Sequence, residues 1–189
     1  MEVANSGIAD QKMQGDPLII VGSGNVAFNL YKFASILGYS ITMIDNDPQA
    51  LTRERFPEAK EIKVGDIVPH LQECAISSQT SIVLLSHHHQ YDEAALVAVI
   101  DSPARYIGVM GNKRKVTAYF SALEEKSTQH HMMERVHIPI GLDLGGELAA
   151  EIALAAMAEI QAVKYGRPGG FVTIKHSSGG DFSQYDQLF

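Results

Sequence analysis

Residues 17–27 read PLIIVGSGNVA, and this stretch decides the fold. Its apolar run predicts a short buried strand that ends at Gly22, and the helical spacing of the apolar residues that follow predicts a helix directly after the turn. In such a unit Gly22 permits the tight turn, Gly24 lets the backbone approach a phosphate, and Ala27 lets the helix pack closely on the strand. The stretch therefore predicts a dinucleotide fingerprint, with a pyrophosphate on the N-terminus of the helix.

An acidic residue stands where a dinucleotide site needs one. The second predicted strand, YSITMID, ends at Asp45, 21 residues after Gly24, and a carboxylate at this position holds the adenosine ribose. Asp47 adds a second negative charge that would repel a 2′-phosphate, so NAD is favoured over NADP. Two other interpretations stay open: a Rossmann shell that has lost its nucleotide, or one that holds another phosphate ligand.

Strands alternate with helices along the rest of the chain. This order predicts an α/β fold with a doubly wound, mostly parallel Rossmann-like sheet and helices on both faces. The predicted strands are residues 17–22, 39–45, 61–64, 80–86 and 104–110, and the predicted helices are residues 25–38, 47–54, 67–75, 92–100, 112–126 and 147–166. We expect a mobile segment over residues 1–16, the Rossmann-like domain over 17–166, and a C-terminal tail or arm over 167–189.

The composition sets limits on partners and location. The chain has 189 residues, a formal net charge of -7 and one cysteine, Cys74. The negative charge argues against nucleic acid or an anionic membrane as the main partner. A single cysteine permits no disulfide framework and suits a reducing compartment, and the apolar runs are far shorter than the ~20 residues of a membrane span. We therefore expect a cytoplasmic protein.

Residues 86–96 read SHHHQYDEAAL and place three consecutive histidines after the fourth predicted strand. Doubly wound sheets bind ligands at the carboxyl ends of their strands, so Ser86 and the histidines are candidate ligand contacts. In an extended chain His87 and His89 point to one side, where they could donate hydrogen bonds to a cofactor or transfer a proton. A zinc site needs a third protein ligand, so no metal is assigned here. A solvated histidine-rich loop stays open as the alternative.

A basic segment follows the fifth predicted strand. Residues 108–115 read GVMGNKRK, with Gly111 at the end of the strand and Asn112 as the N-cap of a helix. Lys113 and Arg114 then stand in the first helical turn, where cations oppose the helix dipole. This arrangement indicates an anion site for a phosphate or carboxylate, or else a solvated basic face.

A glycine-rich acidic turn precedes the last predicted helix. Residues 138–147 read IPIGLDLGGE, and three glycines indicate a backbone that turns tightly or approaches a ligand. Asp143 could orient a ligand amine, hold a cation or cap the helix. For Glu147 the sequence favours capping alone, since acidic residues commonly occupy the first turn of a helix.

Three stretches together resemble one family. GSGNVA, SPARYIGVMGNKRKV and RVHIPIGLDLGGELAAEIALAAMAEIQAVKYG are similar to the Rossmann-like domain of the XdhC/CoxI family, and the likeness covers residues 17–166. These proteins are accessory proteins of molybdenum hydroxylases such as xanthine dehydrogenase and carbon monoxide dehydrogenase. The resemblance implies binding and protection of the molybdenum cofactor, as molybdopterin or its dinucleotide form, and support of its sulfuration and insertion. It implies a molybdenum hydroxylase apoenzyme as partner, and a sulfurase as a possible second one.

The chain also departs from the family pattern. Full-length members carry an N-terminal domain with a cysteine motif that Cys74 does not match, so we expect that domain to be lacking here and a partner chain could supply the thiol. The family typically has histidine at Asn25 and arginine at Asp47. Its His-Asp-His segment aligns with the histidine run, so that His87 and His89 match family histidines and a third histidine replaces the acid.

Two main functions follow from these observations. The first is a cofactor-binding maturation chaperone, expected to form a homo-oligomer, and the second is an NAD-dependent oxidoreductase acting on a small molecule with His87 or His89 as general acid. A third is a regulatory nucleotide-binding module without chemistry. The candidate catalytic residues are His87, His89 and Asp143; the candidate residues for binding NAD(P) or the molybdenum cofactor are Gly22, Ser23, Gly24, Asn25, Val26, Asp45, Asn46, Ser86, His87, Gly111, Asn112, Lys113 and Arg114.

Overall fold

A computed structural model describes residues 15–86, 89–111 and 134–172, with only the backbone described for residues 89 and 90. The strands in this part of the chain are β1 (Pro17–Val21), β2 (Ser40–Asp45), β3 (Glu61–Val64), β4 (Ser81–Leu84), β5 (Tyr106–Val109) and β6 (Val136–His137). The helices are α1 (Asn25–Ile36), α2 (Ile67–Gln72), α3 (His89–Val99) and α4 (Ala149–Lys164). The helix predicted over residues 112–126 lies outside the described residues.

The six strands form one sheet in the order β3-β2-β1-β4-β5-β6, and every neighbouring pair is parallel. The strand order reverses between β1 and β4, where the carboxyl ends of the strands leave a crevice for a ligand. The prediction of a doubly wound, Rossmann-like α/β fold is therefore confirmed.

Burial explains why these segments form the central strands. All four residues of β4 and of β5 are buried, as expected for parallel strands covered by helices on both faces. Helices α1 and α4 pack against each other over one face, and α2 and α3 cover the other. Each fully buried aliphatic side chain in these two clusters contributes about 1.5–3 kcal/mol to folding.

The short helix predicted over residues 47–54 is wrong. The segment forms two successive turns instead, each closed by one backbone hydrogen bond, from the Leu51 N–H to the Asp47 carbonyl and from the Phe56 N–H to the Thr52 carbonyl. The Asp47 Oδ1 atom accepts the N–H groups of Gln49 and Ala50 at 2.8 and 3.3 Å. The Thr52 hydroxyl then accepts the N–H of Arg55 at 3.3 Å and begins a new turn.

Helix α3 begins at His89, three residues earlier than predicted. His89 is therefore helical, so the condition of an extended chain, under which His87 and His89 point to one side, is not met at His89. The Asp92 carboxylate lies in the first turn of this helix and accepts the backbone N–H of Ser86 at 3.2 Å. That contact joins the end of β4 to the helix and favours an early helical start.

The amino ends of the strands are held together by ion pairs. The Asp16 carboxylate, just before β1, lies 2.5 Å from Arg105, just before β5, and 3.1 Å from Lys164 at the end of α4. Although burial opposes ionisation, these two cations lower the pKa of Asp16 below its usual value. The first strand therefore starts beside the point where the last described helix ends.

Two further findings complete the fold. Strand β6 is a two-residue strand that the sequence did not predict. Phe171 and Val172, the described part of the strand-like FVTIK segment, are irregular and exposed. Within the described part of the chain, no helix has the length and apolar character needed to cross a membrane.

Candidate functional site

An open cleft of about 430 Å³ lies at the carboxyl ends of β1, β2 and β4. Its position at the reversal of strand order is the one in which doubly wound sheets bind ligands. It brings together eight of the predicted binding residues: Gly22, Ser23, Gly24, Asn25, Val26, Asp45, Asn46 and Ser86.

Gly22 makes the turn from β1 into the cleft, and the structure requires glycine there. Its φ is +107°, and a Cβ atom at this position would lie 2.6 Å from the carbonyl oxygen of Leu85. Only glycine adopts such a conformation without strain. The N–H of Gly22 binds the carbonyl oxygen of Ile44 at 2.8 Å, so the turn is fixed between β2 and β4.

The N-terminus of α1 faces the cleft. Its N-cap is Gly24, which has no side chain to cap the first N–H groups, and no acidic residue stands in the first turn. Free N–H groups and the positive end of the helix dipole together favour an anion at such a terminus. The Gly24 φ of -68° is one that any residue can adopt, so glycine here leaves space rather than relieves backbone strain.

The Asp45 carboxylate at the end of β2 has a fixed orientation at the edge of the cleft. The Ser23 hydroxyl, 1% exposed, donates to Asp45 Oδ2 at 2.5 Å, and the N–H of Asp47 donates to Oδ1 at 3.1 Å. Each carboxylate oxygen accepts more than one hydrogen bond. Asp45 can therefore also accept ribose hydroxyls, as the sequence predicted.

The β4 side of the cleft is formed by Ser86 and two residues that the sequence did not single out as ligand contacts, Tyr91 and Met110. The buried Asp92 carboxylate accepts the N–H of Ser86 at 3.2 Å and fixes the end of β4. The cleft thus runs from the ends of β4 and β5, past the N-terminus of α1, to the loop after β2.

The remaining predicted residues either lie outside the described part of the chain or do not line this cleft. His87, Asn112, Lys113 and Arg114 lie outside the described residues, and for His89 only the backbone is described. Gly111 is described but does not line the cleft. Among the described residues, no group of three His, Cys, Asp or Glu side chains is close enough to hold a metal ion.

Asp143 is exposed and lines a separate surface depression of about 280 Å³ between residues 140–147 and α4. None of the residues that form this depression lines the first cleft. The capping role that we expected for Glu147 belongs to Glu151, whose Oε2 atom accepts the N–H groups of Glu147 and Leu148 at 3.0 and 2.9 Å.

A buried hydrogen-bond network below the Asp143 loop escaped the sequence analysis. The Glu159 carboxylate of α4 accepts the Tyr106 hydroxyl at 2.5 Å and the Gly141 N–H at 2.9 Å, and lies 3.1 Å from His137 Nδ1. Burial would raise the pKa of Glu159, but these partners lower it below its usual value. Burial and the Glu159 charge raise the pKa of Tyr106 well above 10. One carboxylate thus joins β5, β6 and the loop to α4.

Four further cleft residues were missed: Ala50, Arg55, Ile67 and Leu85. Ala50 and Arg55 belong to the irregular segment after β2, and Ile67 begins α2. No spacing rule connects an irregular loop to a sheet edge, because the path of the loop depends on side-chain capping and on the burial of Phe56. These residues could thus be found only from the tertiary structure.

Comparisons with known proteins agree with this fold. The model of the XdhC Rossmann domain matches residues 18–160. Among solved structures, a xanthine dehydrogenase from Bacillus halodurans superposes with a TM-score of 0.71 at 26% identity, over 81% of this chain and 44% of that one.

Three curated proteins are similar in sequence. "Uncharacterized protein YqeB" of Escherichia coli (strain K12) is 30% identical over 155 residues, which are 82% of this chain and 28% of that protein. A probable xanthine dehydrogenase subunit of Bacillus subtilis (strain 168) is 26% identical over 79% of this chain and 44% of that one. "Molybdenum cofactor insertion chaperone PaoD" of Escherichia coli (strain K12) is 24% identical over 53% and 32%. The chain spans less than half the length of each of these proteins.

Proposed function

The chain belongs to the XdhC family through its Rossmann domain, and from this membership we propose that it is a maturation factor. It binds a nucleotide or the molybdenum cofactor and assists the maturation of a molybdenum hydroxylase such as xanthine dehydrogenase. Two relatives, one named as a molybdenum cofactor insertion chaperone and one as a probable xanthine dehydrogenase subunit, support this role.

The open N-terminus of α1 is the observation that carries the proposal. A phosphate or diphosphate group binds the N–H groups that follow Gly24, where no side chain competes for them. The Asp45 carboxylate, oriented by Ser23, accepts hydroxyl groups of the attached ribose. The arrangement therefore fits NAD or the dinucleotide form of the cofactor.

The choice between ligands follows from charge. Asp45 and Asp47 both line the cleft, and two carboxylates oppose a 2′-phosphate, so NAD binds better than NADP where either binds. The molybdenum cofactor supplies the redox chemistry of the target enzyme. The residues of this chain bind it, orient it and shield it from water until transfer to the apoenzyme.

Isothermal titration of the dialysed protein tests this proposal. The probes are the molybdenum cofactor in its molybdopterin and dinucleotide forms, NAD and NADP. Micromolar binding of a cofactor form, lost in Gly24→Val and kept in Gly170→Val, supports the proposal. The second variant is a matched control, because Gly170 is exposed and has open space around it. A wild-type protein that binds none of the probes would refute the site.

The oxidoreductase alternative depends on His87 and His89, whose side chains lie outside the described structure. Turnover of NAD with a small-molecule substrate would favour it over the maturation role, whereas NAD binding without turnover would not. Co-purification with a molybdenum hydroxylase tests the partner. A sulfurase partner, a homo-oligomer and the division into residues 1–16, 17–166 and 167–189 stay predictions.

A further inference from the structure

Arg55 lines one end of the cleft, and none of the roles that the sequence predicted for the site residues accounts for it. Ser86 and Met110 line the other end of the cleft, at β4 and β5, and the N-terminus of α1 lies in the middle. Beyond Asp45, Ala50 and Arg55 line the cleft from the loop that follows β2, on the side of the sheet that carries β3. A diphosphate on α1 with its ribose on Asp45 directs the nucleobase toward this end.

The guanidinium group of Arg55 is fixed there without an ion pair. One nitrogen donates to the carbonyl oxygen of Ala50 at 2.9 Å. The guanidinium carbon lies 5.2 Å from the ring centroid of Phe28 and 5.3 Å from that of Phe56, and these two rings are nearly perpendicular. Among the described residues no carboxylate lies within ion-pair distance of Arg55. A planar cation is thus held in place by a carbonyl group and aromatic rings.

The surroundings of Arg55 suit a flat base better than a phosphate group. Asp45 and Asp47 line the same part of the cleft and oppose an anion there. Ala50, whose carbonyl oxygen accepts from Arg55, adds a small apolar side chain to the lining of this end of the cleft. Guanidinium planes stack on aromatic rings and on nucleobases.

We propose that Arg55 stacks on the nucleobase of the bound nucleotide and thereby positions it in the cleft. This inference rests on the proposed function and narrows the ligand class to nucleoside diphosphate derivatives, in preference to the base-free cofactor. Stacking distinguishes poorly between bases, because every base offers an aromatic face. The cleft therefore selects for the presence of a base more than for its identity.

The test compares a probe with a base and a probe without one. ADP-ribose and inorganic pyrophosphate are titrated into the wild-type protein, Arg55→Lys and Arg55→Met. Arg55→Lys keeps the positive charge but removes the planar guanidinium group that stacks on the base. The affinity for ADP-ribose therefore falls about tenfold, while the affinity for pyrophosphate stays within about twofold of the wild-type value. Arg55→Met removes both charge and plane, and ADP-ribose binding falls at least as far.

Arg53→Lys is the matched control. Arg53 belongs to the same loop and also donates to a backbone carbonyl, that of Ala59, but it is exposed and does not line the cleft. Its affinities for both probes equal those of the wild type. Thermal unfolding of each variant verifies that the loop still folds.

Three results would overturn the inference. If Arg55→Lys binds ADP-ribose as the wild type does while Gly24→Val binds nothing, the cleft is right and the role of Arg55 is wrong. If the wild type prefers NADP to NAD and Arg55→Met removes that preference, Arg55 recognises a phosphate. If the wild type binds neither probe, both the proposed site and the role of Arg55 fail.

Discussion

The N-termini of α1 and α4 lie on the same face of the sheet but are satisfied in different ways. Neither N-cap residue, Gly24 or Leu148, supplies a capping side chain. In α4, Glu151 reaches back and accepts two N–H groups, whereas the first turn of α1 contains no acid. The negative charge of Glu151 disfavours an anion at the α4 terminus, so of these two termini the α1 terminus is the one that suits an anionic ligand.

The same contrast holds for two half-buried carboxylates, those of Glu159 and Asp45. Glu159 of α4 is fully engaged by Tyr106, His137 and Gly141, and serves to hold the fold together. Asp45 is oriented by Ser23 but still lines the open cleft. The α4 region thus uses its polar groups for structure, and the α1 region keeps them for a ligand. Substitutions at four positions test this contrast.

The largest effect is expected from Glu159→Leu. It leaves the Tyr106 hydroxyl and the Gly141 N–H without their acceptor, and the free energy of unfolding falls by about 3 kcal/mol. Urea unfolding followed by circular dichroism measures it. Glu93→Leu, at an exposed position of α3, is the control and changes the free energy by at most about 0.5 kcal/mol. Equal losses in both variants would contradict a structural role for the network.

The network also predicts how stability depends on pH. Because the pKa of Glu159 is lowered in the folded protein, its contribution is complete above the unfolded-state value of about 4.5 and is lost as pH falls through the folded-state value. The difference in unfolding free energy between the wild type and Glu159→Gln should therefore shrink below about pH 4.5. A difference that stays constant between pH 7 and pH 3 would contradict the lowered pKa.

Gly24→Val is expected to have the next largest effect, and it acts on the α1 region. The side chain fills the space at the N-terminus of α1 that a phosphate needs, so affinity for the nucleotide or cofactor falls at least about a hundredfold. Stability changes little, because the Gly24 backbone conformation suits any residue. Titration calorimetry measures the affinity, and unchanged binding would show that the ligand does not contact this turn.

Asn25→Asp makes α1 resemble α4 by placing an acid in the first turn. The carboxylate favours the helix by about 0.3–1 kcal/mol but repels an anionic ligand. We expect stability to rise slightly and affinity for pyrophosphate to fall about fivefold at low ionic strength. Opposite signs in the two measurements are the signature; if both rise together, the anion does not bind at this terminus.

Glu151→Ala is the smallest change and makes α4 resemble α1. Loss of the two hydrogen bonds to Glu147 and Leu148 lowers the free energy of unfolding by about 1 kcal/mol. Glu151→Gln keeps an acceptor oxygen and should lose only a few tenths. Ligand affinity stays at the wild-type value in both variants, and a loss of affinity in Glu151→Ala would mean that α4 takes part in binding.

The fold and the centre of the site could be predicted because their signals are local. An apolar run, two glycines and an acid at fixed spacing are enough to place β1, α1 and Asp45. The loop from residue 46 to residue 60 could not be predicted, because Asp47 caps a first turn and Thr52 begins a second one, so that the backbone bonds of a continuous helix do not form. The sequence therefore did not predict that this loop, and with it Arg55, lies at the cleft.

The Glu159 network was missed for a related reason. Glu159 lies in an alanine-rich helix, Tyr106 in a strand and His137 in a two-residue strand, and only the order of strands in the sheet brings them together. Pattern alone predicted a capping acid at Glu147, whereas the capping residue is Glu151, four positions further. Contacts between elements that are distant in sequence can be predicted only after the order of the strands in the sheet is known.

The ion pairs of Asp16 have a consequence for gene fusion. They place the start of β1 beside the end of α4, at the edge of the sheet opposite to the cleft. A unit that the chain enters and leaves at one place can be inserted into or appended to other polypeptides without distortion of its binding edge. This arrangement suits a domain that is joined to other polypeptides, and the regions of two relatives that match this chain are 28% and 44% of their lengths.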